Sequence, residues 1–345
     1  MTVSAPLFHT LPPEDVRVHL NAAAPRLVSI DEKEALIRSG VSYGELLTPE
    51  RAPSAAQTAA YHGALRRNGP RVGQLLAALT AGTLREYPQP VLVSLARAGT
   101  PVGCAMRRLA RRWGRDLPHH TLSIIRGEGI DRAALAEVQA AHPNAQLIFV
   151  DGWTGKGSIH DTLSASLPAS VPARLAVLSD PAGVALHAAT HDDLLLPHAA
   201  LNATVCGLLS RTFVTGPGQR HAARREDDLT AHDLTGHYLQ ALHDLSLPFG
   251  PDTPLVSGPR PADPQGAALA AAARLGVHDP HRVKPGVGEA TRVFLRRRPA
   301  HLLVRDADHP DTQHLRELAL ASGVPVTTHP DLPYLAVATI AGGAP

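Results

Sequence analysis

Short apolar runs alternate with helical segments between residues 91 and 180, and this alternation constrains the fold more than any other feature. The runs PVLVSL, HHTLSII, AQLIFV and ARLAVLS are rich in aliphatic residues, and amphipathic segments with short connections separate them. Such alternation is typical of β-α-β units, whose parallel strands are buried on both faces. The pattern therefore predicts an α/β fold with a doubly wound parallel sheet.

Length and composition predict several domains around this sheet. A chain of 345 residues suits two or three domains. Helical spacing of apolar residues predicts an N-terminal helical extension over 1–88, followed by the α/β domain over 89–247. A Pro- and Gly-rich linker with a helix covers 248–280. Residues 281–345 form the last predicted unit, a small C-terminal α/β sandwich.

Charge, cysteines and hydropathy exclude several classes of protein. The formal net charge of +2 provides no global signal for nucleic acid, although basic clusters occur in RRLARRWGR and RVFLRRR. Two isolated cysteines, Cys104 and Cys206, argue against a disulfide scaffold and a zinc ribbon. No signal-peptide pattern occurs, and no apolar run reaches the roughly 18 residues of a membrane helix. We expect a cytoplasmic protein without a membrane segment.

The segment LIFVDGWTGKGSI contains the clearest candidate binding site. Asp151 ends an apolar strand, and a loop with a helix N-terminus follows, which together form a candidate anion site. A carboxylate beside an anion site is useful only if the ligand also has hydroxyl groups or a divalent metal, as a phosphorylated sugar does. One alternative is a tight turn without a ligand. The other is a Walker A loop, but this segment lacks the first Gly of that motif and the Ser or Thr that follows its Lys. The predicted phosphate-binding residues are Thr154, Gly155, Lys156, Gly157 and Ser158.

The same segment resembles the ribose-phosphate motif of type I phosphoribosyltransferases. The upstream segment LVSLARAGTPVG is similar to the pyrophosphate loop of that family. SIIRGEGID, LNATVCGLLSRTF and GVGEATRVFLRRRP also resemble blocks of a bacterial group linked to tellurite-resistance and stress operons. That group is labelled either phosphoribosyltransferase-like or cysteine protease StiP. The resemblance covers roughly residues 42 to 340.

The resemblance implies roles for individual residues. Asp151, Arg126 and Glu128 would be catalytic. Asp151 would hold the ribose hydroxyls and a Mg²⁺ ion, and Arg126 and Glu128 would belong to a mobile loop that closes over the site. Gly152 replaces the second acid of the family motif, which leaves a single carboxylate for the ribose. The pyrophosphate of phosphoribosyl pyrophosphate (PRPP) would contact Arg97, Ala98, Gly99 and Thr100.

The C-terminal unit resembles a Pelota-type RNA-binding domain through GVGEATRVFLRRRP. The resemblance implies RNA contacts at the start of its helix, with Glu289 as the recognition residue. The alternative is an amphipathic helix whose basic end is solvated and complements the helix dipole. The predicted RNA-binding residues are Gly288, Glu289, Thr291 and Arg292.

These observations lead to two main expectations about function. The first is PRPP-dependent phosphoribosyl transfer to a base-like acceptor in a stress or tellurite-resistance response, by an enzyme that forms a homodimer. The second is a non-catalytic, nucleotide-sensing RNA-binding protein with a degenerate phosphoribosyltransferase fold. A cysteine protease is a third alternative, which needs a thiol near a histidine.

Overall fold

The computed structural model describes residues 8–29, 32–33, 35–36, 39–41, 43–216 and 218–342. The strands are β1 Arg17–Val18, β2 Asn21–Ala22, β3 Arg26–Leu27, β4 Leu46–Leu47, β5 Pro90–Leu95, β6 His119–Leu122, β7 Ile124–Ile125, β8 Gly129–Ile130, β9 Gln146–Trp153, β10 Leu175–Ser179, β11 His187–Ala188, β12 Ala222–Ala223, β13 Val283–Pro285, β14 Pro299–Val304, β15 Val326–Thr328 and β16 Ala336–Ile340. The α-helices are α1 Ala55–Glu86, α2 Gly99–Arg112, α3 Arg132–Ala141, α4 Ser158–Ser166, α5 Thr235–Ser246, α6 Pro264–Ala273, α7 Val287–Arg296 and α8 Gln313–Ala321.

A parallel sheet of six strands forms the centre of the first part of the chain. Its strand order is β1-β6-β5-β9-β10-β11, and every neighbouring pair is parallel. Alternate side chains of β9 enter two separate apolar clusters, with Ile148 and Val150 in one and Phe149 in the other. Both faces of the sheet are therefore buried, as the apolar runs predict. The mixed α/β class with a mostly parallel central sheet is confirmed.

The predicted N-terminal helical extension contains one long helix and several short strands. Helix α1 begins with a capping box, in which Ser54 accepts from the Gln57 amide and the Gln57 side chain accepts from the Ser54 amide. Before it, β1 forms the edge of the central sheet beside β6, while β2, β3 and β4 belong to two-stranded sheets. The described residues before α1 form short strands, turns and short helical pieces, so most of the helical character predicted for 1–88 lies in α1.

The C-terminal part contains a four-stranded sheet in the order β13-β16-β14-β15. Strand β16 is antiparallel to both β13 and β14, and β15 is parallel to β14. Helix α7 buries Val287, Ala290 and Val293 in the same apolar cluster as Leu302 of β14 and Val150 of β9. The two parts of the chain therefore share a continuous core, so the C-terminal unit is held in a fixed position on the first.

A buried polar contact joins the two parts at a second place. Asp311 accepts hydrogen bonds from Arg67, from the Asn68 side chain and from the Leu195 amide. The Asp311 side chain is 4% exposed. A buried carboxylate is stable only when such donors surround it, so this contact fixes α1 against the segment that leads into α8.

Candidate functional site

A crevice of about 740 Å³ lies between the two parts of the chain, at the carboxyl end of β9. Its walls include Asp151 and the loop after it, the turn between β7 and β8, and one face of α7. In open parallel sheets, ligands bind at this end of the strands. A volume of this size is in the range of small-molecule sites. The crevice is therefore the candidate functional site.

The loop after β9 has the geometry of a helix N-terminus that opens into the crevice. Gly157 adopts a φ of +84° and precedes the first residue of α4, Ser158. Ser158 and the residues around it line the crevice. The Thr154 hydroxyl instead donates to the Asp180 carboxylate at 2.6 Å, and the side chain is buried. The backbone around Gly157 and Ser158 thus faces the crevice, whereas the Thr154 side chain supports the loop from below.

Lys156 lies at the rim of the crevice and contacts the C-terminal part. Its ammonium group donates to the Pro280 carbonyl oxygen at 2.6 Å. Burial, followed by the nearby charges of Lys284 and Arg126, lowers the pKa of Lys156 to about 8. Three cations at one rim repel each other, and a bound anion would relieve this repulsion.

Asp151 lies in the crevice wall, and its environment disfavours the charged form. One carboxylate oxygen accepts from the Gly152 amide at 2.7 Å. Burial raises the pKa of Asp151 to about 6, against the lowering effect of Arg292. In the described part of the chain, no group of three or more His, Cys, Asp or Glu side chains is placed to hold a metal ion. Mg²⁺ at Asp151 therefore stays a prediction that requires oxygens from the ligand itself.

We expect Asp151→Asn to stabilise the protein above pH 6. Because the pKa in the folded state lies above its ordinary value of 3.8, the folded protein binds more protons between about pH 4 and pH 6, and stability falls as pH rises through that window. Removing the charge should increase the free energy of unfolding at pH 8 by about 1–2 kcal/mol, reduced from the full linkage value because water enters the crevice. Urea denaturation at pH 4 and pH 8 measures this, and a variant less stable than wild type at pH 8 would contradict it.

The predicted covering loop is a short antiparallel turn. Arg126 and Glu128 lie between β7 and β8, which pair through Ile124–Ile130 and Ile125–Gly129. Arg126 donates to Nδ1 of His281 at 2.9 Å. Both predicted residues line the crevice, and Arg126 connects its rim to the C-terminal part.

The predicted pyrophosphate residues lie where β5 passes into α2, and most of them do not face the crevice. Arg97 lines its floor, but its guanidinium is bound by Glu50 at 2.5 Å and by the Leu209 carbonyl at 3.0 Å. Gly99 packs against the Val150 carbonyl, where an added Cβ would lie 2.0 Å from the oxygen. Ala98 and Thr100 are buried, and the Thr100 hydroxyl bonds to Thr121.

The helix start that was predicted to bind RNA packs against the first part of the chain. Gly288 lies on the indole of Trp153, and an added Cβ would come within 2.6 Å of that ring. The Arg292 guanidinium carbon lies 4.4 Å from the centroid of the same ring, and Nη1 of Arg292 donates to the Glu289 carboxylate at 2.9 Å. Thr291 is buried and donates to the Val287 carbonyl. Glu289 and Arg292 line the crevice, whereas Gly288 and Thr291 serve packing.

A carboxylate from the first part of the chain caps this helix. Both oxygens of Asp193 accept from the Val287 amide at 3.0 Å, and one also accepts from the Leu335 amide at 2.8 Å. Burial raises the pKa of Asp193 to about 6, although these backbone donors lower it. The amide at the α7 N-terminus is therefore already satisfied within the molecule.

Sequence reasoning missed several residues that shape the site. Glu50 and Asp193 contact partners 47 and 94 residues away, and no local motif indicates such contacts. Arg296 belongs to the basic run RVFLRRR. This run indicates a basic region, but it does not indicate that the region lines a cavity. The missed Lys and Arg side chains of the crevice lining are Arg211, Lys284, Arg296 and Arg297.

Neither cysteine is placed for catalysis in this conformation. Cys104 and Cys206 are both buried. Burial raises the pKa of the Cys206 thiol to about 11, although the charge of Arg97 lowers it. Burial also raises the pKa of Cys104 well above its usual value. Among the described residues, no thiol has a hydrogen bond to a histidine.

Comparison with known proteins identifies two matching families. Residues 9–243 match the family model described as tellurite-like stress resistance cysteine protease StiP. Residues 264–342 match the PELOTA RNA binding domain. A protein of Acinetobacter baylyi named cysteine protease StiP is 35% identical over 335 residues, covering 90% of this chain and 88% of the relative.

These matches correct the expected activity. The prediction of a phosphoribosyltransferase that uses PRPP and a base-like acceptor is wrong, because the matching family and relative are named cysteine protease StiP. The resemblances to the stress-operon group and to a Pelota domain are confirmed. In the described part of the chain, no helix has the length and hydropathy that a membrane span requires.

Proposed function

We propose that this chain, which belongs to the family of tellurite-like stress resistance cysteine protease StiP, binds a phosphate-bearing ligand in the crevice between its two parts. The observation that carries the proposal is the charge of the lining. Eight cationic side chains face three carboxylates, Glu128, Asp151 and Glu289. The cations are Arg97, Arg126, Lys156, Arg211, Lys284, Arg292, Arg296 and Arg297.

The charge excess is local, which makes it informative. The whole chain has a net charge of only +2. Negative charges elsewhere in the chain therefore balance most of the positive charge in the crevice. Clefts lined by one sign of charge attract ligands of the opposite sign. The backbone around Gly157 and Ser158 adds a helix N-terminus, which is a favourable position for a phosphate. The match of the C-terminal part to an RNA-binding domain favours RNA as one source of that phosphate.

A binding measurement with matched oligonucleotides tests the proposal. A short oligoribonucleotide with a 5′-phosphate, the same oligonucleotide with a 5′-hydroxyl, and inorganic phosphate are titrated calorimetrically at low salt. We expect the phosphorylated form to bind more tightly than the hydroxyl form, with an affinity that falls as salt increases. Inorganic phosphate that competes with the oligonucleotide would identify the phosphate as the recognised group.

We expect Lys156→Ala to weaken binding of the phosphorylated oligonucleotide about tenfold, because a desolvated charged contact contributes about 1–2 kcal/mol. Arg112→Ala is the matched control, since Arg112 is an exposed cation at the end of α2, outside the crevice lining. Equal affinity for the two oligonucleotides in wild type, or equal losses in the two variants, would contradict the proposal.

A second candidate function is thiol-dependent peptide hydrolysis, which the name of the matching family favours. We propose Cys206 as its nucleophile, because Arg97, Arg292 and Arg296 all lower the pKa of this thiol. Positive charges of this kind stabilise a thiolate. Three arginines oppose the carboxylate of Glu50 at Cys206, whereas only Arg107 and Arg108 oppose the carboxylate of Asp15 at Cys104. Hydrolysis would require an opening that brings Cys206 into contact with water and a general base.

Thiol labelling checks this second candidate. We expect both cysteines of the folded protein to react with Ellman's reagent roughly 100-fold more slowly than in concentrated guanidinium chloride, because burial keeps them protonated. Cys206→Ser and Cys104→Ser identify which thiol reacts. A Cys206 thiol that reacts faster than the Cys104 thiol would support the choice of nucleophile, and a Cys104 thiol that reacts faster would contradict it.

A further inference from the structure

The floor of the crevice contains four arginines around one buried carboxylate. Arg97 follows β5, Arg211 belongs to the segment after β11, and Arg292 and Arg296 lie one turn apart on α7. The charges of Arg97, Arg211 and Arg292 all lower the pKa of Arg296, and Glu50 opposes them. Both parts of the chain therefore contribute cations to this floor.

The carboxylates near the floor are already paired. Glu50 binds Arg97 through one oxygen at 2.5 Å and accepts from the Ala203 amide through the other at 3.0 Å. Glu289 pairs with Arg292 at 2.9 Å. Among the described residues, the Arg296 guanidinium has no hydrogen bond and no ion pair within 4 Å, although the more distant charge of Glu50 acts on it. Burial, followed by the neighbouring arginines, lowers its pKa to about 9.

A second set of cations lies at the rim and is distinct from the floor. Lys156 donates to the Pro280 carbonyl, and Arg126 donates to His281. Arg97 of the floor instead donates to Glu50 and to the Leu209 carbonyl. Glu289 lies between the two sets, because its side chain packs against Gly155, next to Lys156 in the chain, and its carboxylate binds Arg292 of the floor. Four guanidinium groups face only two carboxylates, Glu50 and Glu289, so the floor has an excess of positive charge that a bound anion would neutralise.

We infer that Arg296 and its neighbouring arginines form a second anion subsite, so that the ligand of the crevice carries two separated anionic groups. One group lies at the rim, beside Lys156 and the start of α4, and the other lies on the floor beside Arg296. Guanidinium groups bind phosphate through paired hydrogen bonds, which suits them to such a subsite. This inference rests on the proposed binding function and specifies the class of ligand. A bisphosphorylated nucleotide and a phosphorylated end of RNA share this chemistry.

The experiment compares two ligands that differ by one phosphate. Adenosine 5′-monophosphate and adenosine 3′,5′-bisphosphate are titrated into wild type, Arg296→Gln and Arg112→Gln at the same ionic strength. In wild type and in Arg112→Gln, we expect the bisphosphate to bind at least about tenfold more tightly. In Arg296→Gln, the ratio of the two dissociation constants should fall close to one, while the monophosphate keeps most of its affinity. A dinucleotide with a 5′-phosphate then separates an RNA end from a free nucleotide.

Folding of the variant is not expected to limit the test. Because Arg296 is desolvated and repelled by its neighbours, Arg296→Gln should have a melting temperature at least equal to that of wild type. Arg211→Gln provides a second variant of the same floor. Equal affinities for the two ligands in wild type, or an unchanged ratio in both floor variants, would overturn the inference and leave the proposed function standing. No binding of either ligand at low salt would overturn both.

Discussion

Asp311→Ala is expected to lower the free energy of unfolding by about 3–5 kcal/mol, because it leaves several buried donors without an acceptor. The Asn68 side chain and the Leu195 amide both donate to this carboxylate, and Arg67 binds it from the partly exposed side. The substituted alanine provides no acceptor for any of them. Urea denaturation followed by circular dichroism measures the loss.

The control for this prediction lies three residues away. Asp308 is 99% exposed and lies 3.9 Å from Arg316, so Asp308→Ala should change the free energy of unfolding by less than about 0.5 kcal/mol. Asp311→Asn keeps the shape and one acceptor oxygen, and its loss should fall between the other two. If Asp311→Ala were no less stable than Asp308→Ala, the buried contact would not hold the C-terminal part on α1.

Local patterns were sufficient to predict the loop after β9. The apolar run ends near Asp151, glycine follows, and α4 begins at Ser158 within the expected segment. Strand, turn and helix signals of this kind depend on neighbouring residues, and they can therefore be recognised without a structure. The predicted start of the C-terminal helix near Gly288 agrees with the observed start of α7 at Val287 for the same reason.

The side-chain partners that distant segments bring to these elements could not be predicted in the same way. The start of α7 looks like an open anion site in the sequence, but Asp193, far away in the chain, caps it. Likewise, Arg97 belongs to a recognisable turn, yet Glu50 determines whether its charge is available. Such pairings depend on the tertiary arrangement of distant segments. The candidate residues were therefore placed near the correct cavity, whereas their individual partners required the structure.

Gly288→Ala is expected to destabilise the protein by about 2–3 kcal/mol, because overpacking at a rigid contact outweighs the helix propensity of alanine. The new Cβ would lie 2.6 Å from the indole of Trp153. This tryptophan is the last residue of β9, and its ring packs against α7. The indole cannot move away without displacing Arg292 from its face. We therefore expect the same variant to weaken ligand binding in the crevice, which calorimetry measures beside the denaturation curve.

Two further variants separate steric strain from other effects of this substitution. Gly236 lies in α5 with nothing within 4 Å of an added Cβ, so Gly236→Ala should stabilise the protein by about 0.5–1 kcal/mol. In a Trp153→Leu background, the smaller side chain makes room, and Gly288→Ala should lose most of its cost. An equal cost in both backgrounds would show that Gly288 does not act through Trp153. The backbone of Gly288, and not the space beside it, would then explain why a glycine is needed. The interpretation of the helix start as an RNA contact implies such a role.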